Sequence, residues 1–198
     1  SLNLRPLRIN IVRSLVGRGS RELIKKTLKS AKHAPTDNQV KEVLDKFLRH
    51  YERNINVYSK PFPGIIKCLK WLHSQEINIG ICSNKSERLA RKLIRELKLT
   101  PYFTSITGGD TLSVRKPNPK HLFYTIKLSG GTPRKALMIG DSGTDVQAAK
   151  NANIPIIVVG WGYPEITPAA LGGDRLVKTG SQLMPAIKGM LFDKTTKI

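Results

Sequence analysis

Ala136-Leu137-Met138-Ile139-Gly140-Asp141-Ser142-Gly143-Thr144-Asp145 decides how this chain folds. A short apolar run over 136–139 stops at a glycine, a polar turn with two carboxylates follows, and a helical pattern continues over 144–152. That order of strand, loop and helix is the βα unit from which parallel sheets are built. In such sheets reactive groups collect beyond the carboxyl ends of the strands, where loops converge and helix N-termini point inward.

The same rhythm extends in both directions. Upstream, residues 77–82 form an apolar run followed by a helix over 86–97, whose face is Leu89, Leu93, Ile94 and Leu97. A weaker strand near 103–107 leads through a loop to a helix around 122–128. Downstream, a strand over 154–159 precedes a short helix near 168–171, an edge strand over 175–177 and a last helix over 182–191. Before residue 60 the pattern is different. From Ile11 to about Tyr58 apolar residues recur every three or four positions, as in Val40, Val43, Leu44, Phe47, Leu48 and Tyr51, which predicts helix throughout. Ala34-Pro35-Thr36-Asp37 breaks this stretch, with Thr36 or Asp37 as the cap of its second helix, and Pro61-Phe62-Pro63-Gly64 closes it. The expected organisation is a helical lobe over 1–60 and an α/β core over 61–198.

At 198 residues and 22.0 kDa the chain holds one well-buried core and a small accessory lobe. Its 39% hydrophobic and 24% charged residues are a globular balance, not that of a disordered chain. No apolar run is long enough to span a bilayer and the opening Ser1-Leu2-Asn3-Leu4-Arg5-Pro6 has no signal-type apolar core, so a cytoplasmic protein without a membrane partner is expected. Cys68 and Cys82 sit in apolar contexts without metal-ligand spacing and read as reduced, buried thiols; His33, His50, His73 and His121 likewise read as structural or surface residues. The net charge of +20 would attract phosphorylated small molecules or nucleic acid. Because 14 of the 34 basic residues lie in 1–60 and 20 in 61–198, the excess is spread, which disfavours a dedicated nucleic-acid face. Nothing in the pattern bears on oligomeric state.

The polar signals fall where a parallel sheet would gather them. Ser83-Asn84-Lys85 ends the first strand, Gly108-Gly109-Asp110 follows the second, and Asp141 and Asp145 follow the third. Lys116 lies in the loop before the 122–128 helix. Each alone has a plain explanation: Asp141 or Ser142 as a helix cap, Ser83-Asn84 as a turn, Lys116 as a surface lysine. Together, a hydroxyl, a lysine and two carboxylates at one sheet edge suit a phosphoryl group held beside a divalent cation.

Ser83-Asn84-Lys85, Arg115-Lys116-Pro117-x-Pro119 and Gly140-Asp141-Ser142-x-x-Asp145 resemble, in order, the second, third and fourth motifs of the haloacid dehalogenase superfamily phosphatases. Pro61-Phe62-Pro63-Gly64, Gly108-Gly109-Asp110, Gly160-Trp161-Gly162-Tyr163 and, in the lobe, Val16-Gly17-Arg18-Gly19 resemble the bacterial phosphoglycolate phosphatases among them. The resemblance implies a Rossmann-like parallel sheet flanked by helices, with the helical lobe as a cap. It implies that Ser83 and Asn84 bind a phosphoryl oxygen, that Lys116 neutralises charge on the phosphoryl group, that Asp141 binds Mg2+, and that Asp145 orients Lys116 or a metal-bound water. The implied substrate is a small phosphorylated metabolite, with 2-phosphoglycolate first; sugar phosphates, pyrophosphate and a mutase reaction are the alternatives within the superfamily. A dehalogenase is disfavoured, because the Asp141 motif is of the magnesium-binding kind.

The superfamily reaction starts from an Asp-x-Asp-x-Thr motif on a first strand, and no such motif occurs in these 198 residues. The first aspartate, Asp37, stands in a helix-linking turn. The expectation is therefore that one strand and most of a helix, roughly 20–30 residues, lie outside this sequence. Residues 1–198 alone are expected to be inactive and poorly stable, with strand edges left unpaired. The contrasting reading is a catalytically dead remnant that binds phosphate or nucleic acid through its positive charge.

Overall fold

The computed structural model describes residues 8, 11–12, 19–31, 34–163 and 166–192. The opening hexapeptide, His33 and the Val16 to Arg18 part of the glycine step lie outside them. In chain order, α1 (Ser20–Ser30) and α2 (Asp37–Arg53) precede α3 (Ile65–Ser74), β1 (Gly80–Cys82), α4 (Glu87–Glu96), β2 (Ser105–Thr107) and α5 (Pro119–Leu128). Then come β3 (Met138–Gly140), α6 (Gly143–Ala152), β4 (Ile156–Val159), β5 (Arg175–Val177) and α7 (Gly180–Phe192), with short 3-10 turns at Thr100–Tyr102, Pro133–Lys135 and Pro168–Leu171.

The two lobe helices pack on each other through Ile24, Leu28 and Val40, with Val43, Leu44 and Phe47 around them, which is the predicted helical stripe. Thr36, not Asp37, caps α2: its hydroxyl accepts from the Gln39 N–H while the Gln39 side chain accepts from the Thr36 N–H. Asp37 instead pairs with Arg21 of α1 at 3.2 Å. The helix α3 has no counterpart in the sequence reading, which passes from Pro61–Gly64 directly to the strand at 77. It is ten residues long, carries no acidic residue in its first turn and begins at Gly64 without a side-chain cap, so the local start signals are missing. Its buried Cys68, Leu69 and Leu72 hold it against the core.

All strand pairings are parallel, and helices cover both faces of the strands. On β4, Ile156 and Val158 face the cluster formed with Leu122, Val146 and Ala149, whereas Ile157 and Val159 face the cluster formed with Cys68, Leu72, Leu183 and Ile187. A strand buried on both faces is continuously apolar, which is why Ile156–Val159 shows no alternation. The strands do not form one sheet, however. β1 pairs with β2, and β3, β4 and β5 pair in that order, as two separate sheets. Between β1 and β3 lies a cavity of about 550 Å³ whose wall includes Gly80, Ile81 and Cys82 on one side and Met138 and Ile139 on the other. Apart from β5, which spans the expected 175–177, each strand is also shorter than its apolar run: the 77–82 run narrows to three residues because its ladder, with β2, spans Gly80 to Cys82.

Candidate active site

The carboxyl ends of β1 and β3 meet across the cavity through one side chain. Lys116 is 8% exposed, and its Nζ donates to Asp145 Oδ1 at 2.7 Å and to the carbonyl of Cys82 at 2.5 Å. Cys82 ends β1, and Asp145 stands in the first turn of α6, after β3. A buried ammonium is tolerated only when it is paired and hydrogen-bonded, and both conditions are met here. The loop that carries it is held from below, with the Asn84 side-chain amide donating to the Lys116 carbonyl at 3.1 Å.

Asp145 is fully engaged. Its Oδ1 accepts from Lys116, and its Oδ2 accepts from the backbone N–H groups of Asp141 and Ser142, each at 3.1 Å, and from the Ser142 hydroxyl at 2.7 Å. Ser142 in turn caps α6, in a reciprocal box with Asp145. Burial alone would push the Asp145 carboxyl up, but the charge and hydrogen bond of Lys116 and the bonds from Ser142 outweigh it and hold the group below the usual carboxylate range. The motif is at once a helix cap and, through Asp145, the hydrogen-bond partner of Lys116.

Asp141 is only partly buried. Its Oδ2 accepts from the Tyr163 N–H at 2.9 Å, and a Cβ at Gly162 would overlap that carboxylate, so the Gly160 to Tyr163 loop closes directly over it. Its Oδ1 makes no hydrogen bond to a described residue. Among the described residues no group of three His, Cys, Asp or Glu side chains forms a closed metal cage. A carboxylate oxygen without a hydrogen bond to a described residue nevertheless suits Mg2+, which keeps several waters and is shared between one or two carboxylates and substrate phosphate.

Ser83 follows β1 with its N–H donating to the Thr107 carbonyl at 3.0 Å. Its Oγ accepts from the Lys85 N–H at 3.2 Å, so the hydroxyl proton remains to be donated. Gly108-Gly109-Asp110 has a different task. Asp110 Oδ1 accepts the Glu87 N–H at 2.7 Å and Gly109 N–H donates to the Lys85 carbonyl at 2.8 Å, so this segment caps the start of α4 where Ser86 makes no side-chain cap. Among the histidines, His121 is fully buried with neither ring nitrogen hydrogen-bonded, and His73 packs edge-on against Tyr102. Burial, assisted by the charge of Lys116, pushes the His121 pKa down. Sequence reasoning did not single out Tyr51, whose hydroxyl meets Lys85 Nζ at 2.6 Å; these residues are 34 positions apart and no local signal joins them.

Residues 3–159 match the family model described as haloacid dehalogenase-like hydrolase. The chain is 35% identical over 191 residues to the phosphoglycolate phosphatase of Agrobacterium fabrum, covering 96% of this chain and 82% of that protein. It is 39% identical over 153 residues to the phosphoglycolate phosphatase of Mesorhizobium japonicum, covering 77% and 67%. Among solved structures, a predicted phosphoglycolate phosphatase from Haemophilus somnus superposes with a TM-score of 0.85 at 23% identity, covering 93% of this chain and 84% of that one. A β-phosphoglucomutase from Clostridium difficile superposes with a TM-score of 0.78 at 19% identity, covering 94% of this chain and 82% of that one. At such identities these two speak for the fold.

Proposed function

The chain belongs to the haloacid dehalogenase-like hydrolases, whose curated members at about 35% identity to it are phosphatases, and from that premise we propose that it hydrolyses a small phosphate monoester, 2-phosphoglycolate first among them. The observation that carries this reading is the buried Lys116–Asp145 pair bridging the carboxyl ends of β1 and β3. Phosphoryl transfer needs positioning and countercharge on the equatorial oxygens more than it needs bond-making groups from the protein. Lys116 supplies the countercharge, and Asp145 keeps it aimed. Ser83 donates to a phosphoryl oxygen, while Asn84 fixes the Lys116 loop through its side chain and offers its backbone to the same oxygens. Asp141 would hold Mg2+, which when bound would offset charge on the phosphoryl oxygens. The lobe over 1–60 acts as a cap on the core over 61–198 and excludes water from the site.

The Asp-x-Asp-x-Thr motif that would carry the attacking carboxylate does not occur in these 198 residues. We place it on a strand in the cavity between β1 and β3, parallel to both, with its carboxyl end next to Lys116. The size of the cavity and its two unpaired strand edges support this placement. The test is release of inorganic phosphate from 2-phosphoglycolate in Mg2+, by residues 1–198 alone and with an added peptide whose extended apolar stretch ends in Asp-x-Asp-x-Thr. Turnover only with the peptide, lost in Lys116→Ala and Asp141→Asn, is the expected result. No turnover in either case, together with nucleic-acid binding that collapses with salt, would replace the phosphatase by the charged remnant. A small soluble metabolite is thus the proposed partner, in a cytoplasmic setting; among the described residues no helix is long and apolar enough to cross a membrane.

A further inference from the structure

At the amino end of β5, away from the carboxyl ends of the strands that carry the site, a cavity of about 510 Å³ opens between α3 and α7. That volume is in the range of small-molecule pockets. Pro185, Lys188, Gly189 and Phe192 supply one wall; their spacing of three, four and seven residues makes it a single face of α7. Trp71 of α3 supplies another, and Arg175 enters from the first position of β5.

This face runs against the propensity of the helix that carries it. Pro185 stands inside α7, where it removes a backbone donor, and Gly189 follows four residues later; these are the two residue types least suited to a helix interior. Both line the cavity, and Gly189 has no side chain with which to fill it. Local rules broken together on one face mark a place shaped for something other than helix stability. The rings there form a corner. Trp71 rests on the core cluster of Leu72, Leu183 and Ile187, and Phe192, 56% exposed, meets it edge-on, with centroids 6.5 Å apart and planes at 76°. Lys188 Nζ lies 4.9 Å from the Trp71 ring centroid, which brings an ammonium to that same corner. No carboxylate is among the residues that line the cavity.

We propose that this cavity is a second ligand site, separate from the phosphoryl site, for a planar aromatic ring that carries an anionic group. Aromatic rings prefer edge-to-face and offset contacts, and a corner of two rings near a right angle offers a third ring one contact of each kind. Lys188 and the planar fork of Arg175 then take the anionic group, since hydrogen bonds to ionised groups are the strong ones. Lys188 is already held at the corner by the Trp71 ring, so little of its freedom is lost when the ligand arrives. Positive charge is spread over the whole chain and does not by itself distinguish this place. The aromatic corner, hollowed out at Gly189, does.

The experiment follows the indole N–H signals of the two tryptophans, Trp71 and Trp161, by NMR as the chain is titrated with 2-naphthoate. Trp161 lies in the loop that closes over Asp141, so the two signals report the two sites separately. Amides of β4 that resist exchange show that the titrated protein is folded. The expected result is a saturable shift of the Trp71 signal with Trp161 unmoved. The neutral 2-naphthylmethanol and the non-aromatic cyclohexanecarboxylate should each bind roughly tenfold more weakly. Gly189→Leu, which puts a side chain into the cavity while favouring the helix, should abolish the shift, and Lys188→Met should weaken binding severalfold. A Trp71 signal that does not move, a shift of Trp161 alone, equal affinity for naphthoate and naphthylmethanol, or binding that survives Gly189→Leu overturns the proposal. Each of these outcomes leaves the phosphatase reading where it stands.

Discussion

β3 and β4 are hydrogen-bonded neighbours, yet they live in different surroundings. Every residue of β4 is buried, Ile157 completely, whereas Ile139 in the middle of β3 is 37% exposed. The same contrast separates β2, buried throughout, from β1, where no residue is. The two open strands are the two that face the cavity, and they are also the two whose carboxyl ends carry the site. The lesson is that this molecule is closed on its flanks and open along the line where its chemistry converges. Across that line, among the residues at the strand ends, Lys116 makes the connection.

Breaking that connection is expected to have the largest effect. Lys116→Ala leaves Asp145 buried without its counter-charge, and Asp145→Asn does the reverse; either costs about 3–5 kcal/mol in urea unfolding. A loss below about 1 kcal/mol would mean that water already reaches the pair. The strand comparison itself is tested by two truncations. Ile157→Ala should cost about 2–5 kcal/mol, as in any packed interior, and Ile139→Ala less than about 1 kcal/mol, since much of its surface is already wet. Equal costs would show that the opening is filled in solution.

A local effect should appear in the lobe. Thr36→Ala removes one half of the α2 capping box and is expected to cost about 1 kcal/mol, seen as faster amide exchange in α1 and α2 with the β4 amides unaffected. The smallest expected effect is on pH dependence. The folded pKa of His121 lies below its ordinary value near 6.5, so the unfolded chain takes up the proton first as pH falls. Stability from this group is then complete above about pH 6.5 and drains away below it. Urea midpoints measured from pH 8 to 5 should decline below that point, and His121→Leu should flatten this part of the curve. An unchanged slope in the variant would assign the acid sensitivity elsewhere.

Much of this was legible along the chain, because the signals were short-range. Apolar periodicity separated the lobe helices from the βα units, and Thr36, Ser142 and the polar ends of the strands announced themselves within a few residues. The helix Ile65–Ser74 escaped because it starts without a cap or an acidic turn and is held by tertiary burial alone. Asp110 looked like part of the reactive edge, yet it serves as the missing cap of α4, a bond across 23 residues.

The sequence by itself determined the order of strands and helices, the loops on which polar groups cluster and the resemblance those groups carry, since each depends on neighbours within a turn or a strand. Only the tertiary structure decided that the strands form two sheets with a cavity between them, that Lys116 is buried, and that every oxygen of Asp145 is engaged while one of Asp141 accepts from no described residue. Those outcomes turn on desolvation and on hydrogen bonds between segments up to 34 residues apart, where the free energy of a charge is set by what the fold packs around it.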